Sequence, residues 1–99
     1  MNNNEFGKTF RKLREERGYS IKKLAGSLQV NYTYLSKIEN SKSIPSDEFI
    51  DKIAEIFNVD AEELKVQAGK IPDDVKRIIK DNPKEVIEYL RGKFGEHLI

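Results

Sequence analysis

Tyr32, Thr33, Ser36 and Lys37 are the side chains of this sequence best equipped for recognition chemistry. On a helix their spacing places them on one face across two successive turns. A lysine ammonium donates to guanine O6 or N7. A threonine offers its hydroxyl to a base edge or its methyl to thymine, and a tyrosine reads an edge or packs on the sugar-phosphate wall. Four such side chains at the front of a helix suit the major groove of double-stranded DNA.

The stretch from Ser20 to Asn40 must position that face. Leu24, Ala25, Leu28, Val30, Leu35 and Ile38 keep helical spacing on both sides of a short interruption, as two helices sharing one core should. Ser20 is placed to cap the first, with Tyr19 and Leu24 as a hydrophobic staple, and Asn31 to cap the second. The pattern predicts a helix-turn-helix. Two short amphipathic helices joined by a turn also occur in other all-α proteins, so periodicity alone leaves the function open.

The motif resembles the Cro and phage-repressor family of helix-turn-helix regulators, the XRE type. The resemblance rests on Leu24-Ala25, Gln29-Val30, Asn31, Ile38-Glu39-Asn40 and Pro45-Ser46, in order and at family spacing, and it covers about Phe6 to Gly69. It implies an all-α fold with a five-helix lambda-repressor-like DNA-binding domain. It also implies roles for particular residues. Arg14 matches the arginine that pairs with the family's glutamate, here Glu39, tying the first helix to the end of the recognition helix, a role favoured over the alternative of direct DNA contact. Asn40, Lys42 and Ser43 follow that helix where family members hold the DNA backbone. The other flank departs from the family, because Ile21 stands where a glutamine usually touches phosphate. The backbone N–H groups at that helix start, with Lys22 and Lys23, are then expected to hold phosphate instead. A second departure is Gln29 in the place of the glycine before the valine, where a left-handed backbone carries a strain cost.

Taken in order, residues 1 to 5 read as a loose tail, and Phe6, Phe10 and Leu13 mark a first helix over residues 6 to 17, ended by Gly18. Pro45 and Ser46 open a fourth helix whose stripe is Ile50, Ile53, Ala54 and Phe57, with Asp47 and Glu48 at its positive end. Asp60 and Glu63 form a capping box for a fifth helix ending before Gly69. The expected core is Leu13, Leu24, Leu28, Val30, Leu35, Ile38, Ile53, Phe57 and Leu64. These elements make residues 1–69 the DNA-binding domain.

Residues 70–99 are read as a tail of two short helices. Pro72 to Asp74 start the first, with Val75, Ile78 and Ile79 on its apolar face. Asn82-Pro83-Lys84-Glu85 signals the second as cap, first helical residue and box partner, and Val86, Ile87, Leu90 and Phe94 line one side. These two stripes are the expected homodimer interface, since this fold usually doubles its reading head on a palindromic operator and a C2 contact needs a self-complementary patch. The competing expectation is that they fold back over Phe6, Phe10 or the fifth helix.

Composition narrows the function further. Nine lysines and arginines lie between Lys8 and Lys42 against three glutamates, whereas Pro45 to Gly69 holds two lysines against seven acidic residues. Such a division suits a chain with one side turned to polyphosphate. The absence of cysteine fits a reducing cytosol, and neither a membrane span nor a secretory leader is expected. The sequon Asn31-Tyr32-Thr33 is better read as a helix cap. No catalytic motif occurs, His97 has no second metal-ligand candidate near it, and neither cofactor nor enzymatic activity is expected. The expected function is a sequence-specific, cytoplasmic DNA-binding regulator of repressor type. The alternative is an antitoxin-like or adaptor module whose tail binds a protein partner.

Overall fold

In the computed structural model, which describes residues 6–95, the chain is all-α, with no strand among the described residues. Helices α1 (Phe6–Glu16), α2 (Ile21–Leu28), α3 (Tyr32–Glu39), α4 (Asp47–Phe57) and α5 (Ala61–Gln67) enclose one core, and α6 (Asp73–Asp81) and α7 (Pro83–Phe94) follow. The expected caps form at four starts. Ser20, Asn31, Ser46 and Asp60 each accept a hydrogen bond from a backbone N–H of the first turn they precede.

The ends of these five helices share one device. Each closes with a residue in the left-handed conformation: Gly18, Gln29, Ser41, Asn58 and Gly69 in turn. At each end the N–H of the following residue reaches back five positions, as Val30 does to the Ala25 carbonyl and Lys42 to the Lys37 carbonyl. This Schellman closure satisfies carbonyls that the helix itself leaves open. Glycine adopts it freely. Gln29 and Ser41 do not, and each carries a cost of about 1 kcal/mol for the same geometry. The strain expected at Gln29 is thus present, at φ 58° and ψ 43°.

Phe6, Phe10, Leu24, Leu35, Ile38, Ile50, Ile53 and Phe57 are essentially sealed from solvent. Burial of each stabilises the fold by roughly 1.5–3 kcal/mol. The core differs from expectation at Leu13, Val30 and Phe49, and at Ala68, which is buried just past the end of α5. Leu13 and Val30 are only half-buried, because both stand at the edge of the cluster. Phe49 is buried, and its ring meets Tyr34 edge-on with centroids 5.3 Å apart. The inward face of α4 is therefore wide enough to take the neighbouring positions 49 and 50. Around the rim, Arg17 donates to the Phe57 carbonyl (2.9 Å) with its guanidinium over the Phe57 ring, so α1 closes the end of α4. Lys70 and Lys65 pair with Asp47 and Asp51, each at 2.9 Å. The hydrogen bond from Lys70 holds the Asp47 carboxyl below its ordinary pKa. That tie is complete at neutral pH and is lost as acid protonates the carboxylate.

Helices α6 and α7 pack on each other and bury none of their residues. Phe6 and Phe10 are covered by the five-helix unit itself, so the tail stripes do not close over them. The capping box at Asn82 is also absent. Only this residue separates the two helices, and its side-chain amide donates backwards to the Ile78 carbonyl (3.1 Å) instead of capping α7. Its own carbonyl still accepts the first α7 bond, from Val86 N–H, with Pro83 at the first helical position as expected.

At Gly7 the backbone of α1 approaches the end of α3 closely. A Cβ there would lie 2.7 Å from the carbonyl oxygens of both Ile38 and Glu39 and 2.9 Å from Ser41 Oγ. Backbone must move to admit it. Gly7→Ala is expected to destabilise the protein by about 1–3 kcal/mol in urea unfolding. Gly26→Ala, at a helical site with open space around it, should instead stabilise by roughly 0.5–1 kcal/mol. Equal effects at the two positions would contradict the close approach.

Candidate nucleic-acid interface

The orientation of α3 follows from which side chains its sequence surrenders to the core. Leu35 and Ile38 are fully buried, and Tyr34 is held against Phe49. That leaves Tyr32, Thr33 and Lys37 exposed, Tyr32 by 50%. Asn31 Oδ1 accepts from Thr33 N–H (2.8 Å), which ends the chain's approach and starts the helix with Tyr32 and Thr33 in its first turn. Ser36 is half-buried. The Asn40 amide donates both to its carbonyl (2.9 Å) and to its hydroxyl (3.4 Å), so Ser36 and Asn40 act as one unit on the last turns of α3.

Beyond α3, the left-handed Ser41 turns the chain so that Lys42 N–H returns to the Lys37 carbonyl (2.8 Å), leaving the Lys42 side chain outside. Ser43 is half-buried, and fully buried Pro45 anchors the loop from below. On the other flank, Ile21 packs its side chain against the core and retains only its backbone N–H for a ligand. Lys22 and Lys23 are exposed. The Lys22 ammonium sits 5.4 Å from the Tyr32 ring centroid and that of Lys23 lies 5.9 Å from the Tyr19 ring. The structure thus joins the starts of α2 and α3 through Lys22 and Tyr32, a contact that sequence spacing does not disclose.

Arg14 and Glu39 fix this surface to the rest. Arg14 Nε donates to Glu39 Oε2, Nη2 donates to Oε1 (3.1 Å), and Nη1 donates to the Tyr19 carbonyl (2.8 Å). Their side chains are only 11% and 7% exposed. The hydrogen bond to Glu39 raises the Arg14 pKa further above its already high ordinary value, so the guanidinium stays charged. One fork therefore holds α1, the turn before α2 and the end of α3 together. Gly7 and Arg17 are structural contributors that the reading of motifs missed. The only local signal for Gly7 was a glycine inside a helical pattern.

No three side chains among the described residues form a metal-binding group, and no described helix is long and apolar enough to cross a membrane. His97 lies outside the described residues, as does the 1–5 segment.

A helix-turn-helix family model matches residues 10–64, from the middle of α1 into α5. The regulator DdrOP3 of Deinococcus deserti is 30% identical over 79 residues, covering 72% of this chain, and the chain spans 61% of its length. SinR of Bacillus licheniformis, also an HTH-type transcriptional regulator, is 36% identical over 82 residues, 76% of this chain and 74% of the relative. A solved SinR protein/SinI protein complex superposes with a TM-score of 0.56 over 92% of this chain and 99% of that one, at 22% identity, a likeness of fold. The chain belongs to the XRE/Cro-type helix-turn-helix family of transcriptional regulators. The family is one of regulators and not of enzymes.

The Arg14–Glu39 fork carries a direct expectation. Arg14→Met leaves the nearly buried Glu39 carboxylate with only the exposed Arg11 guanidinium, 4.0 Å away, and should cost about 3–5 kcal/mol in urea unfolding. Adding Glu39→Leu should recover much of that loss, since the uncompensated charge is then gone. A double variant no more stable than Arg14→Met alone would mean that the lost stability does not come from an uncompensated buried charge.

Proposed function

We propose that the protein is a sequence-specific, double-stranded DNA-binding repressor that works as a homodimer. The observation carrying this reading is the outward face of α3. Tyr32 and Thr33 are solvent-exposed in the first turn of a capped helix and Lys37 in its last turn, with half-buried Ser36 between them, and the α2 start and the 40–43 loop flank it. On this reading Tyr32, Thr33, Ser36 and Lys37 meet base edges. Phosphates are held by the backbone at Ile21 with Lys22 and Lys23, and by Asn40, Lys42 and Ser43 across the groove. Residues 70–99 join two copies through Val75, Ile78, Ile79, Val86, Ile87, Leu90 and Phe94, so that two reading heads engage a palindrome. The exposed stripes of α6 and α7 support that role. They also favour a second reading, in which the tail takes a different protein as partner, as SinR and SinI do in their solved complex.

Two substitutions separate base contact from phosphate contact. Lys37→Ala should cost about 1–3 kcal/mol at its cognate base pair and relax preference there. Lys42→Ala should weaken binding to all sequences and reduce the salt slope by about one unit. Equal losses on specific and random duplexes for Lys37→Ala, or an unchanged salt slope for Lys42→Ala, would contradict the assignments.

A further inference from the structure

The apolar stripes of the tail are bordered by charges that form no ion pair among the described residues, although Arg77 and Glu88 stand one turn away on the same helices. Val75 and Ile78 of α6 and Ile87, Leu90 and Phe94 of α7 are between 38% and 64% exposed. At 3.6 residues per turn, positions seven apart return to one edge of a helix, roughly 10 Å along its axis. On α6, Asp74 and Asp81 share the edge beside Ile78. On α7, Lys84 and Arg91 share the edge beside Ile87. All four side chains are exposed, and none has an ion-pair partner among the described residues.

We propose that in the homodimer the Asp74/Asp81 edge of α6 lies against the Lys84/Arg91 edge of α7 of a second copy of this chain. The inference rests on the dimer reading above and specifies which helix edges meet. The two spacings match, so both ion pairs form together whichever way the helices run. A two-fold axis then generates the contact twice, for four pairs around a shared apolar centre. The opposite edge of α6, beside Ile79, carries Lys76 and Lys80, and setting it against Lys84 and Arg91 would place like charges together. The apolar stripes supply attraction without direction. The charges choose the edge, and with it the partner, because an apolar helix pair lacking this complementarity gains the burial but not the pairing.

Charge reversal in the full chain tests this. Asp74→Lys/Asp81→Lys makes both edges basic, and Lys84→Glu/Arg91→Glu makes both acidic. By sedimentation, each variant alone should dimerise about tenfold or more weakly than the unaltered chain, while an equimolar mixture should regain tight dimers as a heterodimer. Helices α6 and α7 bury none of their residues, and circular dichroism should show helix content unchanged. If the unaltered chain dimerises and both variants do so equally well alone, or if mixing restores nothing, the charge pairing is wrong and the dimer reading stands. If the unaltered chain is monomeric at high micromolar concentration, the dimer reading falls and this inference falls with it.

Discussion

The presentation of α3 depends on the ion pair between Arg14 and Glu39. A helix of eight residues has little stability of its own, so its position must come from tertiary contacts. Leu35 and Ile38 set its rotation by burial, but apolar contact alone would allow it to slide along its axis. The bidentate fork removes that freedom by fixing the last residue of α3 to α1, and the third guanidinium hydrogen bond fixes the turn that starts α2. Gly7 completes the constraint by letting the α1 backbone meet the final carbonyls of α3. The outward face is therefore held by a charged tie and a steric stop, both on its inner side.

With the inner side committed to the core, the outer side of α3 is left to solvent. Each exposed residue of α3 is one that the core does not need, and the caps at Ser20 and Asn31 direct both helix starts outward through backbone N–H groups alone, without using any lysine side chain. The division of charge along the sequence has the same logic. Acidic residues gather on α4 and α5, where Asp51 pairs with Lys65 of α5 and Asp47 with Lys70 just beyond it, and the basic excess belongs to α1, α2 and the flanks of α3. On the proposed reading, repulsion of the acidic side from phosphate and attraction of the basic side orient the molecule before any base is read.

What could be read in the sequence was what is local. Four helix starts were legible because a cap bonds within three residues of itself, and the buried stripes were legible because helical period repeats over one or two turns. Asn82 shows the limit of cap reading: a side chain between two abutting helices can serve the carbonyl behind or the N–H ahead, and only the angle of the junction decides. Leu13, Val30 and Phe49 show the limit of periodicity, which gives the direction of a face but not its width. Arg14 and Glu39 lie 25 residues apart, and only the family resemblance brought them together. Gly7 and the Lys22–Tyr32 contact depend on how helices cross, and nothing in the spacing of residues reports that.

The central claim is that two copies of the α3 face read a defined duplex sequence. Selection of bound sequences from a random double-stranded DNA pool by the full chain tests it most directly. The account predicts enrichment of a palindrome whose half-sites lie one helical turn apart, about 34 Å centre to centre. Recovery of unenriched sequence, with affinity that tracks only duplex length and salt, would contradict it.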